Sequence, residues 1–447
     1  MTILLRQKPL TQVVRQIVQR DNGAWFDPSD MSTMFQDAAG TIPVTAMEQP
    51  VGKWLDKSGN GNHATQSITA SRPTLSARYN LLTKTEDFAD AAWFKLFVSV
   101  STTNEIPPIN FGSKSSIITP TATSQVFTEI YQNSPIYAGS TYTQSYVVKS
   151  NGYQYIQIIG NAGAFGSSYI NFDIISGETF SVGNFSGSSK YIENGWYIIT
   201  CSATAIASSS TRLSLNFINS LTSTRGSVFN GDGYSGIFLA SSQLNIGTAT
   251  LKYQSVNTAT DYDSVGWPKY IKAEGVDDHF VLPYLGLYNN ASCSIITSHS
   301  SSSQAANGVI VSEASSTDAD TKYLPYRQLA SAGNVDSYIA ADNAAVILDS
   351  TGAAYSGTKE NIIESIIDSG TSIETYRSGV LLSNEPYTRS ATLTLNNTTL
   401  FGSVSTTNTN FLNTKLYGLI ITKSNLSARD RSLCETYLKS KVQVLQV

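Results

Sequence analysis

Charge is scarce in this chain. Of 447 residues, 14% are Asp, Glu, Lys or Arg, and 29 basic side chains against 33 acidic ones leave a net charge of −4. No basic patch is visible, which excludes nucleic acid as an expected partner. Cysteine is scarcer still. Cys201, Cys293 and Cys434 are odd in number and far apart, so they make neither a metal spacing nor a disulfide framework. They read as core thiols of a protein made in a reducing cytosol. Only His63, His279 and His299 are present to serve as general bases. No stretch is long and apolar enough to span a membrane. The apolar run Ile3 to Leu5, followed by Arg6 and Lys8, is too short for a signal peptide. The chain is therefore expected to be synthesised in the cytosol, with no membrane insertion.

Small polar residues and glycine take the place of charge. The 24 Tyr outnumber 17 Phe and 5 Trp. Tyrosine suits half-buried strands and wet binding surfaces, and Thr/Ser-rich sequence suits strands with a polar outer face. At this length, two or three domains are expected.

Leu10 to Arg20 carries Leu10, Val13, Val14, Ile17 and Val18 at helical spacing, and Asn22-Gly23 suits a left-handed cap. That apolar face serves either to pack on the domain beneath it or to form an oligomer seam. Trp25-Phe26 and Val51 to Leu55 read as strands without a nearby partner. Trp54 to Gln66 then contains Ser58-Gly59-Asn60-Gly61-Asn62, a tight loop, and ends near Arg72-Pro73. Many short alternating strands follow from Tyr79, among them Tyr142 to Lys149, Tyr153 to Ile159, Tyr169 to Ile174, Arg212 to Ile218 and Gly236 to Leu244. After Trp267 the first texture resumes, with Tyr270 to Leu282 read as one strand. Lys415 to Ile421 is a late strand. Ser427 to Asp430 is a capping box that starts a helix carrying Leu433, Cys434, Tyr437 and Leu438 on one face.

Two resemblances follow from these motifs. The segment W-x-D-x-S-G-N-G-N-x-A-x-Q with R-P, paired with G-V-D-D-H-F at Gly275 to Phe280, resembles the concanavalin A-like, laminin-G-type jelly rolls of secreted bacterial and tailed-phage proteins. Asn194-Gly195-Trp196-Tyr197 and Gly236 to Leu244, with Phe172 to Gly177, resemble jelly-roll carbohydrate-binding modules. The resemblances imply an all-β fold of two jelly-roll β-sandwiches, one inserted into the other, with short N- and C-terminal helices. The implied domains are an N-terminal attachment segment at 1–23, a discontinuous laminin-G-type sandwich at 24–78 plus 265–447, and an inserted module at 79–264. Trp54 to Leu75 should then lie beside Tyr270 to Leu282.

No catalytic constellation emerges. There is no G-x-S-x-G elbow and no E-x-D-x-x-E strand. The nearest carboxylate group is Glu360, Glu364 and Asp368, whereas glycoside hydrolysis needs two carboxylates across a sugar cleft. Asp56, Asn60, Asn62, Asp277 and Asp278 offer the oxygen ligands that calcium prefers, although such residues also bond their own turns. Glu86, Asp87 and Asp232 form a second such set. No other cofactor is required. Sugars stack on rings and bond to amides, so Trp93, Tyr131, Tyr153, Tyr155 and Tyr234 are the candidate glycan-binding residues. The expected protein is a non-enzymatic adhesin of a tailed-phage virion, on a tail or head fibre. Its expected partners are host cell-surface polysaccharide, other virion proteins and further copies of itself. A capsid decoration protein and a polysaccharide depolymerase are the alternatives.

Overall fold

The computed structural model describes residues 8–301, 308–317, 322–328, 335–341, 344–349, 359–386, 393–404 and 409–443. Ile3 to Leu5 lies outside them. The chain forms two compact units, Met1–Ala77 with Trp267–Gln443 and, between them in sequence, Arg78–Gly266. Both are antiparallel β-sandwiches, and the α-helices of the described residues are Leu10–Gln19, Ala162–Phe165 and Ala428–Ser440.

In the outer unit an eight-stranded sheet faces a nine-stranded one. Their apolar faces meet around Phe26, Trp54, Ile295, Phe280, Phe401 and Leu419, all fully buried. The strand Thr74–Ser76 pairs with Tyr270–Glu274, with Leu75 opposite Ile271. Thr65 sits opposite Val281 in the other sheet. The expected pairing across the insertion is therefore present. One expectation is corrected: Tyr270 to Leu282 is two strands, Tyr270–Glu274 and Phe280–Leu282, in different sheets. Gly275, at φ +81°, turns the chain between them in a backbone region open mainly to glycine. The early strand Ala24–Phe26 finds its partner in Asn413–Thr422, with Trp25 opposite Ile420.

The N-terminal helix buries Val14, Ile17 and Val18. It packs with the C-terminal helix, in which Cys434, Tyr437 and Leu438 are buried. Arg20 bridges to Asp430 at 2.6 Å. Three residues of the apolar stripe, Val14, Ile17 and Val18, are thus packed within the chain, and Leu10 and Val13 are half-buried. The capping box forms as expected, with the Asp430 amide donating to Ser427 Oγ at 3.1 Å.

In the inserted unit, two six-stranded sheets enclose a core of Ile118, Ile130, Ile156, Ile170, Phe172, Leu215 and Ile237. The two chain segments that enter and leave this unit are tied together. The Gln254 side chain accepts from the Tyr79 and Asn80 amides at 2.7 and 2.9 Å. Asn80 Nδ2 donates to the Gln254 carbonyl at 3.0 Å. A buried amide network of this kind fixes the ends of an inserted module.

Candidate binding face

Strand alternation decides which side chains of the inserted unit reach outward. In Leu213–Phe217 the leucines and Phe217 point into the core, so Ser214 and Asn216, with Arg212 before them, point away. Ile130 is likewise a core residue, which turns Glu129 and Tyr131 to the same outer side. Register then aligns one row across all six strands: Phe180, Asn171, Gln157, Asn216, Glu129 and Leu96. The four central side chains are polar and fully buried.

The two halves of this row differ. Over Asn171 and Gln157 lies the segment 221–226. Asn171 Nδ2 donates to the Leu221 and Ser223 carbonyls, each at 2.8 Å. Gln157 Nε2 donates to the Thr224 carbonyl at 3.3 Å and its Oε1 accepts from the Gly226 amide at 2.8 Å. In the other half Glu129 accepts from Arg212 Nη2 at 2.6 Å, Ser214 Oγ at 2.5 Å and Asn216 Nδ2 at 3.2 Å. The Arg212 guanidinium lies over the Tyr131 ring at 4.0 Å. Tyr131 stacks on Phe94 with ring centres 5.0 Å apart, and Phe94 is half exposed. Arg225 reaches the same place from the covering segment, donating to the Gly160 carbonyl at 2.5 Å. Burial lowers its guanidinium from the ordinary value, Glu129 opposes that and Arg212 adds to it.

Three polar atoms here are shut from water and have no hydrogen-bond partner among the described residues: Arg212 Nε, Asn216 Oδ1 and Arg225 Nε. Buried polar groups are nearly always paired, and each orphan costs about 1–3 kcal/mol.

The predicted aromatic residues separate on this geometry. Trp93 is withdrawn as a sugar platform. Its ring is buried against Phe88, and its Nε1 donates to the Lys84 carbonyl at 2.9 Å. Tyr131 belongs to the face, but with Phe94 and Arg212 stacked on it, the ring open to solvent is Phe94. Tyr155 is half-buried, two residues before Gln157 on the same strand side. Tyr153 packs edge-on against Phe217 and Phe229, and its hydroxyl accepts from the Asp232 amide at 2.8 Å. Tyr234 is 87% exposed on the turn that Asp232 holds, well apart in sequence and bonding from Glu129. Glu129, Arg212, Asn216, Arg225 and Phe94 escaped the sequence expectation. The alternation of Arg212, Ser214 and Asn216 with leucines was the available signal.

The expected calcium ligands also separate. Asp56 accepts four hydrogen bonds: the Trp25 amide at 2.9 Å, the Ser58 amide at 2.8 Å, Ser58 Oγ at 2.6 Å and the Asn62 amide at 3.2 Å. Asn60 Nδ2 donates to the Val18 and Gly23 carbonyls, and Asn62 Nδ2 to those of Asn22 and Gly23. This loop satisfies the orphan carbonyls at the end of the N-terminal helix. Asp277 and Asp278 instead join Glu274, with ligand atoms within 4.8 Å of one another. Those three carboxylates could hold a divalent cation. Glu86 accepts from Ser113, Tyr253 and Ser255 and pins local chain segments. Asp232 caps its own turn through Ser235.

In the outer sandwich Glu364 is buried and bound by Arg377 at 2.8 Å, with His299 3.8 Å away. Asp368 accepts from Tyr323 Oη at 2.6 Å. The Glu360 side chain lies outside the described residues. Burial lowers the His299 imidazole from 6.5 to about 4. The unfolded chain takes up that proton near 6.5 and the folded chain only near 4, so this histidine removes stability as pH falls through that window. Asp278 acts in the opposite sense. Burial raises its carboxyl from 3.8 to about 6, so its stability contribution is complete below 3.8 and is lost as pH rises to about 6. In EDTA, with no cation on these carboxylates, Asp278→Asn should therefore stabilise the protein above pH 6 and steepen its loss of stability between pH 6 and 4. Thermal melts across that range check both effects.

No protein-family model matches the chain, and no curated protein matches it. Among solved structures, it is similar to the binding domain of botulinum neurotoxin DC in complex with rat synaptotagmin II, at 12% identity and a TM-score of 0.29, covering 39% of this chain and 43% of that one. It is also similar to the Ruminococcus gnavus IT-sialidase CBM40 bound to alpha2,3 sialyllactose, at 13% identity and a TM-score of 0.26, covering 34% and 84%. A third is a botulinum neurotoxin type C structure, described by cell entry dependent on two ganglioside molecules, at 12% identity and a TM-score of 0.29. The match spans less than half the length of the neurotoxin chains. With TM-scores this low, function has to be read from the side chains of this chain.

Proposed function

We propose that this protein is a non-enzymatic adhesin that binds glycan on the outward sheet face of its inserted unit. The observation that supports this most is the half-exposed ring of Phe94, stacked on Tyr131 with the Arg212 guanidinium over that same Tyr131 ring. A sugar brings a C–H face for the ring and oxygens that accept from a guanidinium group. Few polar groups beside an aromatic ring are the usual make-up of a ligand site. The proposed setting is the virion of a tailed phage, on a tail or head fibre, with host surface polysaccharide as the partner. The motifs around Trp54 to Leu75 and Asn194 to Tyr197 support that setting through their family resemblance.

A glycan array probed with the purified chain tests this. Discrete hits are expected, and Phe94→Ala should weaken them about three- to tenfold. An array without hits would overturn the adhesin and favour capsid decoration. Release of reducing ends from a bound polysaccharide would favour the depolymerase. Calcium is proposed for Glu274, Asp277 and Asp278. A melting temperature raised by calcium over EDTA, and no longer raised in Asp277→Asn, would support it; an unchanged one would remove it.

A further inference from the structure

A small ribbon on the surface of the inserted unit takes no part in the glycan-binding proposal. Ser124–Gln125 pairs with Phe229–Asn230, with Ser124 opposite Asn230 and Gln125 opposite Phe229. Among the described residues this sheet has no third strand. Phe229 is a core residue, so alternation turns its neighbours Val228 and Asn230 outward. Continuing the register sets Val126 opposite Val228, and both valines are about half exposed. The following turn, 231–235, lies against the start of the ribbon: a Cβ placed on Gly233 would be 3.4 Å from the Ala122 methyl. Tyr234 stands on this turn, 87% exposed. Asp232 holds the turn by accepting from the Tyr234 amide at 2.8 Å and from the Ser235 amide and Oγ, each at 2.7 Å. A tyrosine presented on a held turn is the kind of side chain that anchors protein–protein contacts, because it has little freedom left to lose.

Charge and area say what fits this face. Across 121–128 and 226–235 the single charged residue is Asp232, and its carboxylate is spent on its own turn. No charge is left to recruit an oppositely charged partner, and none to repel an identical surface. The exposed polar side chains Thr121, Thr123, Ser124 and Asn230 each both donate and accept. A second copy therefore satisfies them across a two-fold axis. Two half-exposed valines and a nearly free tyrosine offer on the order of 400 Å² of side chain, within the range of the largest apolar patches on monomers. The polar rim brings the face toward the roughly 800 Å² per partner of a stable contact. Ile106 and Ile109, 81% and 80% exposed on another loop, have the charged pair Glu105 and Lys149 beside them and serve as the control.

We propose that two copies of this chain dimerise through this ribbon face, with Tyr234 of each copy packing against the two valines of its mate. Sedimentation velocity of the full chain from about 1 to 100 μM tests it, a range that brackets a micromolar dissociation constant. The sedimenting mass should rise from monomer toward dimer. Val228→Asp and Tyr234→Ala should each raise the dissociation constant about tenfold or more, and Ile106→Ser with Ile109→Ser should leave it within about twofold. Folding of each variant is checked by its melting temperature. A chain that stays monomeric throughout, or a dimer that neither Val228→Asp nor Tyr234→Ala weakens, would overturn the proposal. So would a monomer whose glycan-array hits depend on Tyr234, which would give the turn to sugar. A silent glycan array beside a dimer that Val228→Asp breaks would remove the glycan-binding proposal and leave this one standing.

Discussion

Asp56→Ala should lower the stability of the outer unit by about 3–5 kcal/mol, the usual cost of removing one side of a buried charged pairing, because four donors lose one acceptor and their bonds are not additive. The Trp25 amide, the Ser58 amide and hydroxyl and the Asn62 amide all lose their acceptor. The melting temperature should fall by about 6–20 °C for a unit of this size. Asp56→Asn should recover only part of this, since its amide nitrogen cannot accept. The measurement is made in EDTA, which separates the two roles that the sequence allowed. A carboxylate whose purpose is to bind calcium would cost nothing there. An unchanged melting temperature in EDTA would contradict the turn-organising role.

Glu129→Ala should cost the inserted unit about 2–4 kcal/mol. Breaking a buried ion pair from one side usually costs about 3–5 kcal/mol, and the quarter exposure of Arg212 lets water recover part of it. Ser214 and Asn216 lose an acceptor at the same time, and Arg212 is left with Arg225 as its charged neighbour. Replacing both partners, Glu129→Leu with Arg212→Met, should restore part of the loss, because neither charge of the pair then stays behind, although Arg225 loses the nearby Glu129 charge. Denaturant unfolding of the single and double variants measures the difference. A double variant as unstable as the sum of the single ones would contradict this coupling.

The split sandwich was legible because its two halves keep their own wording. Trp54 to Leu75 and Tyr270 to Phe280 carry the loop glycines, amides and apolar residues that a shared sheet needs, and Leu75 does sit opposite Ile271. The break inside Tyr270 to Leu282 was less legible. Glu274 to His279 looked like a polar interruption of one strand, but the glycine there sends the chain to the second sheet. Asp56, Asn60 and Asn62 have a composition that serves a cation or a helix end equally well. Only the position of the Val18, Asn22 and Gly23 carbonyls decides between them.

The candidate face was legible strand by strand and hidden as a whole. Alternation shows that Gln157, Asn216 and Glu129 each point away from a core. It cannot show that they share one row, because Glu129 and Asn216 meet through a register set by strands far apart in sequence. Trp93 misled for a related reason: a tryptophan looks the same in a sequence whether it stacks on a sugar or, as here, packs at a tilt against Phe88 in the core.

The most direct test of the glycan-binding face is hydrogen exchange of the full chain, read by mass spectrometry, with and without a saturating glycan from the array. The account predicts new protection in peptides spanning 92–97, 127–132, 211–217 and 221–227, and unchanged exchange in the turn around Tyr234. Protection confined to the Tyr234 turn or to Glu274 to Asp278, with the Arg212 and Arg225 peptides unaffected, would contradict it.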